Sequence, residues 1–152
     1  MSKEKYPASS SDEAMGSLAK ALYEKGGDSE IPLISSIFGR LGSNTGRRMQ
    51  AKMGKKNFAS AVTTFFAPAL KANPPRAEFV ELTEDKLIIK AFTCRIGLHG
   101  AGRKLCEAIM EIDREMIGQI AGEKINMQIE KSMAAGDDCC LITFQLKPGE
   151  DK

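Results

Sequence analysis

Hydrophobic positions along this chain change their period near residue 75, which divides it into a helical half and a strand-rich half. In the first half, Met15, Leu18, Ala19 and Leu22 recur at helical spacing. They predict a helix capped by Ser11 or Asp12, running to Lys25 and stopped by Gly26-Gly27. A second helix is expected over residues 31–41, with Pro32 in its first turn, where a missing N–H costs little, and Gly42 as its end. Ser43 or Asn44 then caps a third, basic helix to Met53, stopped by Gly54. Asn57 caps a fourth, from Phe58 to about Ala72, carrying Phe58, Val62, Phe65, Phe66 and Leu70 inward. Pro74-Pro75 forbids further helix and sets an extended path.

Beyond that point residues 78–83 and 86–93 read as two strands joined by the turn Thr83-Glu84-Asp85-Lys86. A glycine-rich loop over residues 97–102 leads into a long helix reaching about Ala121. Its core face is Leu105, Ala108, Ile109, Ile112, Met116 and Ile120. Residues 123–131 alternate, with Ile125, Met127 and Ile129 on one side and Lys124, Asn126, Gln128 and Glu130 on the other, which is a strand with one wet face. A hairpin turn over residues 134–138 leads to a last strand over residues 139–146. The expected fold is α+β: an N-terminal helical layer packed on a C-terminal antiparallel sheet of about four strands, with one long helix. Residues 1–10 and 148–152 read as flexible tails around a single domain over residues 11–147.

Composition narrows the function. A chain of 152 residues is the size of one domain, with 42% hydrophobic and 28% charged residues. Trp is absent and there are eight Met, so apolar volume comes from Leu, Ile, Ala and Met, and Met-rich surfaces adapt to irregular ligands. A net charge of +2 does not indicate nucleic acid or an anionic membrane. Arg40, Arg47, Arg48, Lys52, Lys55 and Lys56 form an acid-free stretch, which reads as a solvated helix face or a contact for an acidic partner. The polar N-terminus lacks the apolar segment of a secretory signal, and the uncharged run over residues 58–70 is too short to span a bilayer. The expectation is a cytoplasmic protein, in which four cysteines are free thiols, ligands or catalytic groups.

Cys94 ends the second strand, Cys106 lies in the first turns of the long helix, and Cys140 begins the last strand. Cys140 shares a face with Ile142, Phe144 and Leu146, so Cys139 points the other way. On the helix, Cys106, Met110, Asp113 and Ile117 form one stripe that places a thiol and a carboxylate together. Three readings stay open: small buried hydrophobes; a zinc or iron site using Cys94, Cys106 and Cys140 with His99 as a fourth ligand, without the close C-x-x-C pair that marks such sites; and a nucleophilic Cys106, its thiolate favoured by the helix amino end and by Arg103 and Lys104. Gly97 and Gly102 have the spacing of a phosphate loop, but Arg103, Lys104 and Leu105 follow where that motif needs lysine and a hydroxyl. N–H groups with Arg103 beside them could still anchor a ligand's carboxylate.

Cys94, Cys106, Asp113, Gly136, Asp137 and Cys140 together carry a likeness to known proteins. Over roughly residues 79–146 the layout resembles the aminothiazoline-carboxylate hydrolase-like family and, more distantly, the vinyl-4-reductase-type small-molecule-binding domain. In that pattern one cysteine ends a strand and a second lies in a helix ahead of an aspartate. A glycine–acid turn then leads through a further cysteine into the last strand. Arg95 stands where a proline commonly follows the first cysteine. The resemblance implies a pocket between helices and sheet for a hydrophobic or heterocyclic ligand, and a homodimer. A binding role uses Cys94, His99, Arg103, Cys140, Met110 and Phe65 as ligand contacts. A hydrolytic role opens a cyclic C–N or C–S bond with Cys106 as nucleophile or metal ligand and Asp113 as acid–base group.

Overall fold

The computed structural model describes residues 5–94 and 96–147. Arg95 and the ends, residues 1–4 and 148–152, lie outside the described residues, and with them the expected C-terminal tail. Residues 5–10, expected as part of a tail, meet the first helix: Tyr6 donates to Glu24 at 2.5 Å and Ser17 to the Pro7 carbonyl at 2.5 Å.

Helix α1 spans Ser11–Gly26, and Ser10 caps it by accepting from the Glu13 amide. Helix α2 spans Ile31–Met53 without interruption, correcting the expected break at Gly42. The reason is tertiary. A Cβ on Gly42 would strike the backbone of Ile112, and one on Gly46 would lie 2.7 Å from Gln119 Cβ and 2.8 Å from the Met116 carbonyl. These glycines do not stop the helix; they let it approach its neighbour. Ser43, expected as a cap, accepts from the Gln119 side chain at 3.2 Å. Helix α3 covers Phe58–Lys71, with the Asn57 side chain accepting from the Ser60 amide.

The expected long helix is divided at Met110 into α4, Arg103–Ile109, and α5, Glu111–Ala121. Met110 donates to the Cys106 carbonyl at 2.9 Å, and its own carbonyl is shared by the amides of Asp113 and Arg114 at 3.1 and 3.2 Å. That tightened turn redirects the axis so that both pieces pack on α2. Arg114 ties α5 to the following strand by donating to Glu111, Glu115 and the Ile125 carbonyl.

Four strands, β1 Ala77–Leu82, β2 Lys86–Ala91, β3 Ile125–Lys131 and β4 Cys140–Leu146, form one antiparallel sheet in the order β1-β2-β4-β3. Ile125 and Ile129 of β3 and Leu87 and Ile89 of β2 are buried with Ile142 and Phe144 of β4, facing the helices. The alternation along β3 is thus used as the sequence pattern requires. A bulge between Ile129 and Lys131 bends the end of β3. Among the described residues, no helix is long and apolar enough to cross a membrane.

Candidate functional site

The cysteine end of the molecule is built from three short segments. The loop after β2 turns on Cys94, whose sulfur accepts from the Leu98 amide at 3.4 Å while its carbonyl accepts from Gly97 at 3.1 Å. Gly100 and Gly102 then donate to the carbonyls of Met133 and Ala134, at 3.4 and 2.8 Å, which docks the loop on the 3₁₀ turn Met133–Ala135. That turn is held by Ser132, fully buried: its hydroxyl oxygen accepts from Ala134 at 3.2 Å, and its amide donates to the Asp137 carboxylate at 2.8 Å. Gly136, at φ 99°, closes the turn in the left-handed region. β4 enters from it with the Cys140 sulfur accepting from the Met133 amide at 3.5 Å. Two residues of the family pattern, Gly136 and Asp137, therefore shape the backbone around Cys140.

Cys106 lies one turn into α4, buried among Leu98, Leu105, Ile109 and Ile142 in a single core. Burial pushes its thiol up to about 11, and a hydrogen bond with Ser132 offsets part of that rise. Cys140 and Cys94 lie near enough to add smaller upward contributions. Cys140 itself is raised, again by burial first, with Cys94 among its neighbours. The expectation that the helix end and two cations favour a Cys106 thiolate is corrected: desolvation dominates, and the cations are engaged elsewhere. Arg103 donates to the carbonyls of Ile129 and Glu130, at the bulge of β3, and Lys104 pairs with Asp28 at 2.6 Å. His99 is exposed on the loop. Asp113 lies partly buried in the first turn of α5. Met110 and Phe65 pack against the core, Phe65 meeting Phe66 edge-on at 4.7 Å. All four cysteines are free, and Cys139 is buried outside the core that Cys140 borders. Among the described residues no group of three or more His, Cys, Asp or Glu is placed to hold a metal ion. The zinc or iron reading of Cys94, Cys106 and Cys140 thus finds no ligand set.

Ser132 is the residue that sequence reasoning missed. Its signal was present: a serine before a short Met-Ala-Ala turn closed by glycine has the form of an amino-terminal cap followed by a left-handed stop.

A pH dependence follows. The folded state holds the Cys106 proton more tightly than the unfolded chain. The stability this gives is complete below the ordinary thiol value of 9.0 and is lost as pH rises toward about 11. Two units correspond to about 3 kcal/mol. Urea unfolding of the wild type should weaken across this range, and Cys106→Ala should reduce the slope while Cys140 and Tyr23, both raised as well, keep part of it. An equal slope in both proteins would refute the assignment.

The comparisons with known proteins fit this architecture. The chain is similar over 93% of its length, and over 95% of the other chain, to the trafficking protein particle complex subunit 3 from Naegleria fowleri, solved covalently bound to palmitic acid, at 15% identity and a TM-score of 0.53. It is also similar, over 89% of its length and 74% of the other chain, to the phenol-responsive sensory domain of the transcription activator PoxR, solved with phenol, at 15% identity and a TM-score of 0.54. The shared fold is the vinyl-4-reductase type. No match was found among the curated proteins compared. The model of one family, L-2-amino-thiazoline-4-carboxylic acid hydrolase, matches residues 8–144, nearly the whole of the domain whose cysteine end has just been described. The chain belongs to that family.

Proposed function

We propose that this chain binds a small, partly apolar or heterocyclic organic molecule at the cysteine end of the domain, between α4, the loop after β2 and the start of β4. Cys94, Cys106 and Cys140 edge the site, Met110 and Phe65 supply adaptable apolar contact, and His99 and Arg103 flank its mouth. The observation that carries binding over catalysis is the Cys106 thiol. It is buried, desolvation keeps its proton in place, and only the thiolate is a strong nucleophile. A neutral buried thiol is an apolar wall. The sensory domain solved with phenol supports the same reading by analogy of fold.

The family match favours a second reading, hydrolysis of a cyclic C–N or C–S bond of the aminothiazoline-carboxylate type. Cys106 would add to the ring carbon as the cyclic C–N or C–S bond opens, with Asp113 passing the thiol proton to the departing heteroatom, and water would then cleave the new S–C bond and restore the thiol. A homodimer belongs to the proposal as well, with Leu18, Leu33 and Ile37 on α1 and α2, 73%, 49% and 48% exposed, as the apolar positions it would cover. A cytoplasmic setting suits four free thiols.

Native mass spectrometry of the protein purified without chelator tests the proposal. A dimer retaining an organic mass, lost on Cys106→Trp but kept on Cys106→Ser, is the expected result. Turnover of the aminothiazoline carboxylate by the wild type, abolished by Cys106→Ser, would replace binding with hydrolysis. A chain that neither retains nor takes up any small organic molecule would overturn both.

A further inference from the structure

A cleft of about 630 Å³ lies at the opposite end of the sheet from the cysteines, a size suited to a small ligand. Its floor is apolar, from Phe58, Ala121 and Leu146. Around that floor stand charges of both signs: Lys55 and Lys56 from the loop joining α2 to α3, Glu84 and Asp85 from the β1–β2 turn, and Glu123 after α5. Lys56 is half-buried and the other four are exposed, and the Asp85 carboxylate accepts from the Thr83 hydroxyl at 2.9 Å. Among the described residues no ion pair joins them.

The frame that carries these charges is fixed by backbone bonds from every side. Lys56 donates to the Ile120 carbonyl at 3.3 Å, Glu123 to Gly118 at 3.0 Å and Leu146 to Asp85 at 2.9 Å. Gly122, at φ +67°, leaves the space through which the Lys55 side chain passes; a Cβ there would sit 2.8 Å from Lys55 Cε. At the start of α3, Asn57 already satisfies the amides of Ser60 and Ala61. The first-turn N–H groups of Phe58 and Ala59 precede them and point out of the helix end, where an anionic group is favoured.

We propose that this cleft is a second ligand site, for a small zwitterion with an apolar body, of the class of an apolar α-amino acid. Its carboxylate meets Lys55, Lys56 and the start of α3, its ammonium group meets Glu123 and Glu84, and its side chain covers Phe58 and Leu146. One ligand carrying both charges satisfies both sets, which an anion or a cation alone does not.

Titration of the ¹⁵N-labelled full chain with L-norleucine, N-acetyl-L-norleucine and L-norleucinamide, followed by amide chemical shifts, tests this. Saturable shifts are expected at residues 55–59, 84–85, 121–123 and 146, with norleucine binding about tenfold more tightly than either singly charged analogue. Lys56→Gln should weaken norleucine and N-acetylnorleucine about tenfold and spare norleucinamide, and Glu123→Gln should show the converse pattern. Shifts that never saturate, shifts centred elsewhere, or equal affinity for all three molecules would overturn the proposal.

Discussion

Replacing Gly42 by alanine should lower stability by about 2–3 kcal/mol, against the direction that helix propensity sets. Alanine inside a helix is favoured over glycine by about 1 kcal/mol, so an exposed glycine of α2 would gain from the change. At Gly42 the added carbon meets the Ile112 carbonyl oxygen, Cα and carbonyl carbon, all backbone atoms that cannot rotate away. Either α2 and α5 separate, and the packing between them is lost along its length, or one helix bends. Gly46→Ala should cost less, because its contacts with Gln119 Cβ and the Met116 backbone, at 2.7 to 3.0 Å, are longer than those at Gly42. Gly39→Ala supplies the control on the same helix: its nearest neighbours would be Glu111 Cβ and Glu115 Cγ, both at 3.8 Å, so it should be neutral or stabilising by up to about 1 kcal/mol. Chemical denaturation of the three variants decides the matter. A stabilised Gly42→Ala would mean that the glycine serves something other than close approach.

Truncating Phe144 to alanine should cost about 4 kcal/mol, the upper range for an aromatic removed from a closed core. Its ring is fully buried and tilted on Phe66 at 5.9 Å, and Phe66 in turn meets Phe79 edge-on at 6.1 Å. Phe144 also sits across from Leu87 on β2 and Met127 on β3, so its loss opens a void under the two central strands and β3 together. Phe144→Leu, which keeps most of the volume, should cost under about 1.5 kcal/mol. Cys140 lies on the same face of the same strand, and a weakened β4 should therefore speed alkylation of Cys140 by iodoacetamide in Phe144→Ala. Unfolding curves with unchanged midpoints would show that α3 and β1 collapse into the space without loss.

Much of the fold was legible because local patterns met no competition. The alternation Ile125, Met127, Ile129 admits only a strand with one buried face, and the face Cys140, Ile142, Phe144 was readable from the same period of two. Asn57 and Gly54 bounded α2 and α3 as their side-chain chemistry and positive φ demand. At the cysteine end, the residue types and their distribution over three elements could be read, but not the fate of each group. Arg103 looked like a free cation for a ligand, yet the β3 bulge leaves carbonyls that a guanidinium fork reaches. Cys106 looked activated by its neighbours in sequence, yet in the fold it is buried in the core, where desolvation outweighs the hydrogen bond with Ser132.

Local pattern, then, gave the succession of a helical half and four strands, the family pattern on Cys94, Cys106, Asp113, Gly136, Asp137 and Cys140, and the inward faces of β3 and β4. These depend on interactions within a few residues, where periodicity and capping carry the information. Tertiary structure alone decided that α2 runs through Gly42, that the helix after Gly102 divides at Met110, and that Ser132 joins the Cys106 surroundings. It also decided that charges of both signs, with no ion pair between them among the described residues, gather around the cleft at the far end of the sheet. Each of these is a meeting of segments distant along the chain, and the free energy of such a meeting depends on backbone clearance and lost solvation, quantities that exist only once the segments touch.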